Sequence, residues 1–312
     1  MAKMATREAY GKALAVLVQE RNDIFVLDAD LSKSTKSADA QAVKPTRHFN
    51  MGIAEANMMG VAAGIATGGN TVFASSFAMF AVGRAFEQVR NSIAYPKLNV
   101  KICATHAGVT LGEDGASHQA IEDIALMRAV PNMRVIVPAD DIETTQVIRA
   151  VADQKGPFYV RLGRAAVNTV HSDDYVFEVG KGKVLSSGKD IAIVACGVMV
   201  EQALLAKEAL KEHGLDVTVV NMATIKPLDK NLMVELAKTH QGIVTCEEHN
   251  VLGGLGGAVA EVLAQEHPTK MLMIGVNDTF GESGTPGALL KKYGLSAETI
   301  TERVLAFSKT VL

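Results

Sequence analysis

A two-domain α/β architecture, each domain a mainly parallel sheet flanked by helices, is the fold class that this 312-residue sequence predicts, on three observations. Strand-like apolar runs alternate with helical segments along the chain, the pattern of right-handed βαβ crossovers and of a sheet covered on both faces. At a prior of roughly 150 residues per domain, the length allows about two, each large enough for its own core. The composition is 48% hydrophobic with 5% aromatic residues and no Trp, so packing rests on small side chains that let helices lie close on a sheet. Periodicity is lost and polar residues gather from about Ala165 to Lys183, which places the first domain at 1–165, a linker at 166–183 and the second domain at 184–312.

In the first domain, Thr6 can cap a helix running through Arg21, with Glu8 in its first turn, and Asp23 to Asp30 follows as a strand ending in polar residues. Leu31 to Ser37 has no apolar periodicity and sets hydroxyls beside lysines, a composition that suits either an anion or a solvated loop. Apolar residues up to Glu55 read as a strand end, and the Ala, Met and Gly run after it as a close-packing helix. Thr71 to Ser76 is a strand and Phe77 to Ile93 an amphipathic helix or loop-helix. Val100 to Thr105 is a strand, Gln119 to Val130 a helix, Arg134 to Pro138 a strand, Ile142 to Asp153 a helix and Phe158 to Arg161 a strand that leads to Arg164.

The second domain repeats the alternation. Asp190 to Ala195 is a strand, Val200 to His213 a helix stopped by Gly214, Asp216 to Asn221 a strand and Asp229 to Thr239 a helix. Gly242 to Cys246 is a strand, Ala258 to Gln265 a helix and Met271 to Val276 a last strand. The glycine-rich turn from Gly253 to Gly257 has the wrong spacing for GxGxxG and reads as tight helix-strand packing.

A net charge of −3 with scattered cations gives no field for nucleic acid, which is not expected as a partner. Cys103, Cys196 and Cys246 lie far apart in apolar runs, so neither a zinc cluster nor a CxxC pair is available, and they read as buried thiols of a reducing compartment. The N-terminus lacks an apolar signal core and no run approaches the roughly 20 apolar residues that span a bilayer, so no membrane association and a cytoplasmic location are expected.

Three features carry chemistry. Glu55 is the one acid in a seventeen-residue stretch from Asn50 to Ala66. In apolar surroundings its carboxyl should stay protonated near neutral pH and donate a hydrogen bond, although a helix-start Glu complementing the macrodipole fits the same pattern. Phe77 and Phe80, three apart, fall on one face of a helical turn, where they could flank a planar ligand or join the core. The glycine-rich loop after the Val100 to Thr105 strand gathers His106, Glu113, Asp114 and His118 where parallel sheets place ligands. A metal site is a rival, but the spacing of the two histidines matches no compact ligand motif.

Taken together, Ala29-Asp30-Leu31, Gly52-Ile53-Ala54-Glu55, Ser76 to Phe80, Ala104-Thr105-His106, Gly112 to Gly115 with Ser117-His118-Gln119, and Pro131-Asn132-Met133 resemble transketolase in content and order. The resemblance spans nearly the whole chain but only the C-terminal half of a full-length transketolase: its pyrimidine-binding domain and its C-terminal domain. The family's Gly-Asp-Gly followed by Asn, which holds Mg²⁺ and the diphosphate of thiamine diphosphate, has no counterpart here. The resemblance therefore implies the C-terminal subunit of a split transketolase. Its N-terminal partner subunit would carry Mg²⁺ (or Ca²⁺), leaving no metal ligand in this chain, and an α₂β₂ heterotetramer would act on sugar phosphates.

Residue by residue, the resemblance implies that Glu55 bonds the pyrimidine N1′ of thiamine diphosphate, that Phe77 and Phe80 pack on that ring, and that Asp30 lies near the cofactor. An acid donating to N1′ promotes the imino tautomer that removes the thiazolium C2 proton, so the cofactor supplies its own base. His106, Asp114 and His118 would contact the sugar near its reacting carbons, with both histidines counted as catalytic beside Glu55. Arg7, Ser34 and Arg161 would meet the phosphate end. Ala107 to Thr110 departs from the Asp-Ser that many transketolases carry after the His. The expected activity is transfer of a two-carbon ketol unit between sugar phosphates. Alternatives are a 1-deoxyxylulose-5-phosphate synthase-like protein, the β subunit of a 2-oxoacid dehydrogenase, and a silent regulatory paralogue, which would be expected to have lost Glu55 or the ring pair.

Overall fold

The structure is a computed structural model that describes residues 3–312. The first domain runs β1 (Lys3–Ala5), α1 (Thr6–Glu20), β2 (Ile24–Asp28), α2 (Ser32–Thr35), α3 (Ala38–Val43), β3 (His48–Asn50), α4 (Glu55–Thr67), β4 (Thr71–Phe77), β5 (Val100–Thr105), α5 (Asp123–Ala129), β6 (Arg134–Ile136), α6 (Asp141–Asp153) and β7 (Phe158–Arg161). There follow β8 (Ala166–Asn168), β9 (Lys183–Ser186), β10 (Ile191–Ala195), α7 (Met199–Glu212), β11 (Val217–Asn221), β12 (Thr224–Lys226), α8 (Lys230–Thr239), β13 (Gly242–Asn250), α9 (Leu255–Glu266), β14 (Met271–Val276), α10 (Pro286–Lys292) and α11 (Ala297–Ser308).

Two mainly parallel sheets flanked by helices result. The larger has seven strands in the order β12-β6-β7-β5-β4-β2-β3, and the smaller has five in the order β14-β13-β10-β11-β9. Antiparallel pairing is confined to the edges: β12 on β6, β9 on β11, and a separate β1–β8 pair. The expected linker is thus partly structured, because β8 is tied to β1. β12 follows the second domain's β11 in sequence yet completes the first domain's sheet. One apolar cluster accordingly joins Leu27 and Met58 of the first domain to Val194, Val220 and Leu255 of the second.

Several local expectations change. The helix expected over Phe77 to Ile93 starts at Ala78, since Phe77 ends β4, and it is π-type over Met79–Arg84 and Gln88–Ala94. The helix expected from Gln119 begins at Asp123, because Ala120 is held extended by a bridge to Ala107. Thr6 does not cap α1; its hydroxyl accepts from the Gly163 N–H at 2.7 Å. α10 and α11 lie beyond the last element that periodicity predicted, and Ser296 caps α11 by accepting from the Thr299 N–H. The turn at Gly253 to Gly257 is tightly packed: the N–H groups of Leu255 and Gly256 donate to Glu247, and a Cβ on Gly256 would meet Thr245 Oγ1 at 2.9 Å.

Candidate active site

Parallel pairing aligns Asp28 with Ser75, Phe77 with Thr105 and Ala104 with Arg161, so the segments leaving β2, β4, β5 and β7 emerge along one carboxyl edge. That edge is where open parallel sheets bind ligands. Asp30 sits on it with φ +62°, exchanging hydrogen bonds with Asn50: its N–H donates to Asn50 Oδ1 at 3.0 Å and its Oδ1 accepts from Nδ2 at 3.1 Å. Asn50 Oδ1 also accepts from the Gly52 N–H, so Asp30 secures the turn that delivers Glu55 to the start of α4.

Glu55 is 4% exposed, but its surroundings are not wholly apolar as expected, since Arg84 Nη1 lies 3.4 Å from its Oε1. The rings stack although Phe77 is not helical, with centroids 6.0 Å apart and planes at 15°. Phe77 also stacks on His106 at 3.8 Å, and Phe80 meets the edge of His118 at 5.1 Å. The sequence therefore identified the ring pair, while strand-end geometry presents it.

Cations collect at the other end. Arg7 Nη1 donates to the Ser34 carbonyl at 2.8 Å and lies 3.1 Å from His106 Nε2. A guanidinium only donates, so Nε2 is the acceptor, and Nδ1 carries the proton that it gives to Thr105 Oγ1 at 2.8 Å. Burial, then the charges of Arg7 and Arg164, push the His106 pKa down to about 3, so the ring is neutral. Burial lowers Arg7 as well, assisted by Arg164. Arg164 donates to the Leu111 carbonyl and to Glu113. His106, expected beside the reacting carbons, thus bridges the rings and the arginines. Asp114 stands exposed at the loop tip, and His118 Nδ1 lies 2.9 Å from Ser117 Oγ.

Arg161 is a correction. It is 5% exposed, with Nε and Nη2 on Asp123 at 2.8 and 3.1 Å and Nη2 also on the carbonyls of Ala120 and Glu248 at 3.0 Å. As the last residue of β7, it turns into the seam between the domains, with Nε and Nη2 engaged by Asp123 and by backbone carbonyls of both domains. Arg164, three residues on and past the strand's end, lies with Arg7 and His106 instead. Its position in a loop at the carboxyl edge was the available signal. Nothing in the sequence marked Arg84, and Thr105 stood only within the Ala104-Thr105-His106 motif, with no role of its own.

The residues fit an aromatic cofactor ring and an anion. Glu55 and the ring pair form an acid beside aromatic faces, and Arg7 Nε is a buried donor without a protein partner. Among the described residues, no group of three or more His, Cys, Asp or Glu side chains is placed to hold a metal ion. No helix among them is long and apolar enough to cross a membrane.

A buried acid, stacked rings and a cluster of arginines on one sheet edge, joined to a second α/β unit, mark a two-domain α/β module. Family models for the transketolase pyrimidine-binding domain and the transketolase C-terminal domain match residues 2–169 and 180–300. The chain belongs to the transketolase family. It is 53% identical over 302 residues to a chain of Methanocaldococcus jannaschii named as a transketolase C-terminal section, covering 96% of this chain and 95% of that one. It is 36% identical to an apulose-4-phosphate transketolase subunit of Phocaeicola vulgatus, covering 98% of each. Against the transketolase of Rattus norvegicus it is 38% identical over 97% of its own length but only 49% of that protein, so it spans about half of such relatives. A solved structure described as a split-gene transketolase, inactive beta4 tetramer, superposes with a TM-score of 0.90 at 54% identity, covering 100% of this chain and 99% of that one.

Proposed function

We propose that this chain is the C-terminal subunit of a thiamine-diphosphate-dependent transketolase that moves a two-carbon ketol unit between sugar phosphates. An N-terminal subunit would supply the diphosphate-binding half and its Mg²⁺ or Ca²⁺ in an α₂β₂ assembly. The observation that carries this reading is the pairing, on one sheet edge, of buried Glu55 and the Phe77–Phe80 stack with the neighbouring cations Arg7 and Arg164. Similar chains of about this length that are named as a section or a subunit support the two-chain arrangement. The three buried free thiols suit the cytoplasm.

When bound, the cofactor would supply the carbanion-stabilising chemistry that ketol transfer needs. Glu55 would hold a proton at the ring nitrogen, with Phe77 and Phe80 fixing the plane of the ring. Arg7 and Arg164 would bind the substrate's phosphate by charge-assisted hydrogen bonds. His106, neutral and with Nε2 engaged, orients Arg7 and does not itself donate to the anion. His118 and Asp114 would meet the sugar hydroxyls near the ring edge.

The test is reconstitution with the N-terminal subunit, following ketol transfer from a ketose phosphate to an aldose phosphate, alongside calorimetry of each chain. We expect transfer by the pair and none by this chain alone. Tight Mg²⁺-dependent cofactor binding by this chain without a partner would refute the divided site, and turnover of a 2-oxoacid in place of ketose would reassign the reaction.

A further inference from the structure

The second domain's segment between β14 and α10 lies against the loop that carries Asp114 and His118. One side chain joins them. Gln119 is 3% exposed, and its amide nitrogen is directed at the carbonyls of Val109 at 3.1 Å, Gly112 at 3.4 Å and Glu282 at 3.0 Å. Three carbonyl oxygens around one atom are met by an NH₂ and repel an oxygen, so the orientation of the amide is fixed by its neighbours. The first two carbonyls belong to the substrate loop and the third to the other domain.

The packing leaves no room for a Cβ at either of two glycines. A Cβ on Gly281 would lie 1.8 Å from Gln119 Oε1, and one on Gly115 would lie 2.6 Å from Ser283 Oγ. The loop has little conformational preference of its own, since Gly108, Gly112 and Gly115 all have positive φ. Contacts from the second domain bear on its shape at both ends: Glu248 Oε1 accepts from the Thr110 N–H near its start, and Gln119 reaches the Glu282 carbonyl at its end.

We propose that Gln119 is a positioning residue through which the C-terminal domain sets the substrate loop, so that His118 faces Phe80 and Asp114 stands at the open edge. The inference rests on the transketolase reading and gives the second domain a part in catalysis without contact with substrate. Gly281 lies outside the binding machinery, and its φ is not positive, so the backbone accepts Ala there. A methyl group at that position must push the Gln119 carboxamide off its three carbonyls.

The experiment compares Gly281→Ala and Gln119→Ala with wild type in the reconstituted enzyme. A misplacement on the order of 1 Å can cost about 10²-fold in rate, so kcat/KM should fall by roughly 10- to 100-fold in both variants. Cofactor affinity and cofactor C2 proton exchange should stay within about twofold, because Glu55 and the rings are untouched. Amide hydrogen exchange of residues 109–118, measured on this chain alone, should rise. Unchanged kcat/KM, unchanged loop exchange, or an equal loss of cofactor affinity that marks a general structural defect would each overturn the proposal. If Gly281→Ala fails to fold, the nearly isosteric Gln119→Glu, which sets a carboxylate against three carbonyls, replaces it under the same criteria. A wild-type pair with no ketol transfer would instead fail the functional reading, while the exchange measurement still decides whether Gln119 couples the domains.

Discussion

Arg84 spans the two features that would receive the cofactor ring: its Nη1 lies 3.4 Å from Glu55 Oε1, and its Cζ stands 4.1 Å over the centroid of Phe80. The Arg84 side chain is 53% exposed, so both contacts are partly screened and cost little to break. Displacing the arginine is a small demand on an incoming ring.

Glu55→Gln should therefore leave stability within about 1 kcal/mol of wild type, because the substitution is nearly isosteric and the Arg84 end of the lost ion pair is exposed. Turnover of the reconstituted enzyme should drop roughly 10²- to 10⁴-fold, the range of an acid-base contribution. Cofactor C2 proton exchange, followed by NMR, should slow in parallel. An exchange rate equal to wild type would make Glu55 a helix-start acid only.

Arg164→Ala should lower kcat/KM toward phosphorylated ketose by roughly 10- to 150-fold, the equivalent of about 1.5 to 3 kcal/mol for one charge-assisted hydrogen bond. A truncated donor without phosphate should be affected far less. Lysine should not restore the loss, since it lacks the planar fork of donors. Equal losses on both donors would show that Arg164 only anchors Leu111 and Glu113.

His106 should remain neutral in the free protein throughout the physiological range, with its pKa near 3. Its folded-state value lies below the unfolded value of about 6.5, so proton uptake favours unfolding, and stability declines as pH falls from about 6.5 toward 3. ¹⁵N chemical shifts of the ring should report protonated Nδ1 and bare Nε2 at pH 7. Removing Arg7 should raise the pKa. A ring that titrates near 6.5 would contradict the Arg7 contact.

A stability test falls on the linker. Asp140 Oδ2 accepts from the N–H groups of Val170 and His171 at 2.8 Å and pairs with His171 Nδ1 at 2.9 Å, while Glu143 accepts from Tyr175 and Asn221. Burial alone would lower His171, but the bond to Asp140 and the nearby acids outweigh it and raise the pKa. Burial would raise Asp140, and His171 with the backbone donors brings it below its usual value. The His171 contribution is thus full below about pH 6.5 and lost as pH rises through its raised folded value. The Asp140 contribution is full above about pH 3.9 and lost as pH falls through its depressed one. Breaking such a buried pair by His171→Ala should cost about 3 to 5 kcal/mol and flatten the alkaline loss of stability in denaturant titrations. A cost under about 1 kcal/mol would show that the linker is not held this way.

The alternating pattern made both sheets legible, and Phe158–Arg161 and Met271–Val276 fall where periodicity sets them. Glu55 and the ring pair were legible because an acid or two rings in small-residue surroundings stand out. Arg161 misled because residue type does not report direction: one place in a strand decides whether an arginine enters a seam or a cleft. β12 was invisible as a member of the first sheet, since three residues carry no record of a partner strand nearly ninety positions earlier. Gln119 was hidden for a related reason, as its acceptors are backbone carbonyls, one of them in another domain.

The crossing of Thr224–Lys226 onto the edge of β6 bears on how such chains can be recombined. A gene cut between the two regions matched by the family models would strand this segment with the wrong half. The first half would expose the unpaired N–H and C=O groups of β6, a template for aggregation, and the second would carry an orphan strand. Chimeras that swap C-terminal domains between relatives would thus replace part of the acceptor's own sheet along with the graft. Compatibility in such swaps should follow the fit of these three residues to β6 more closely than overall sequence identity.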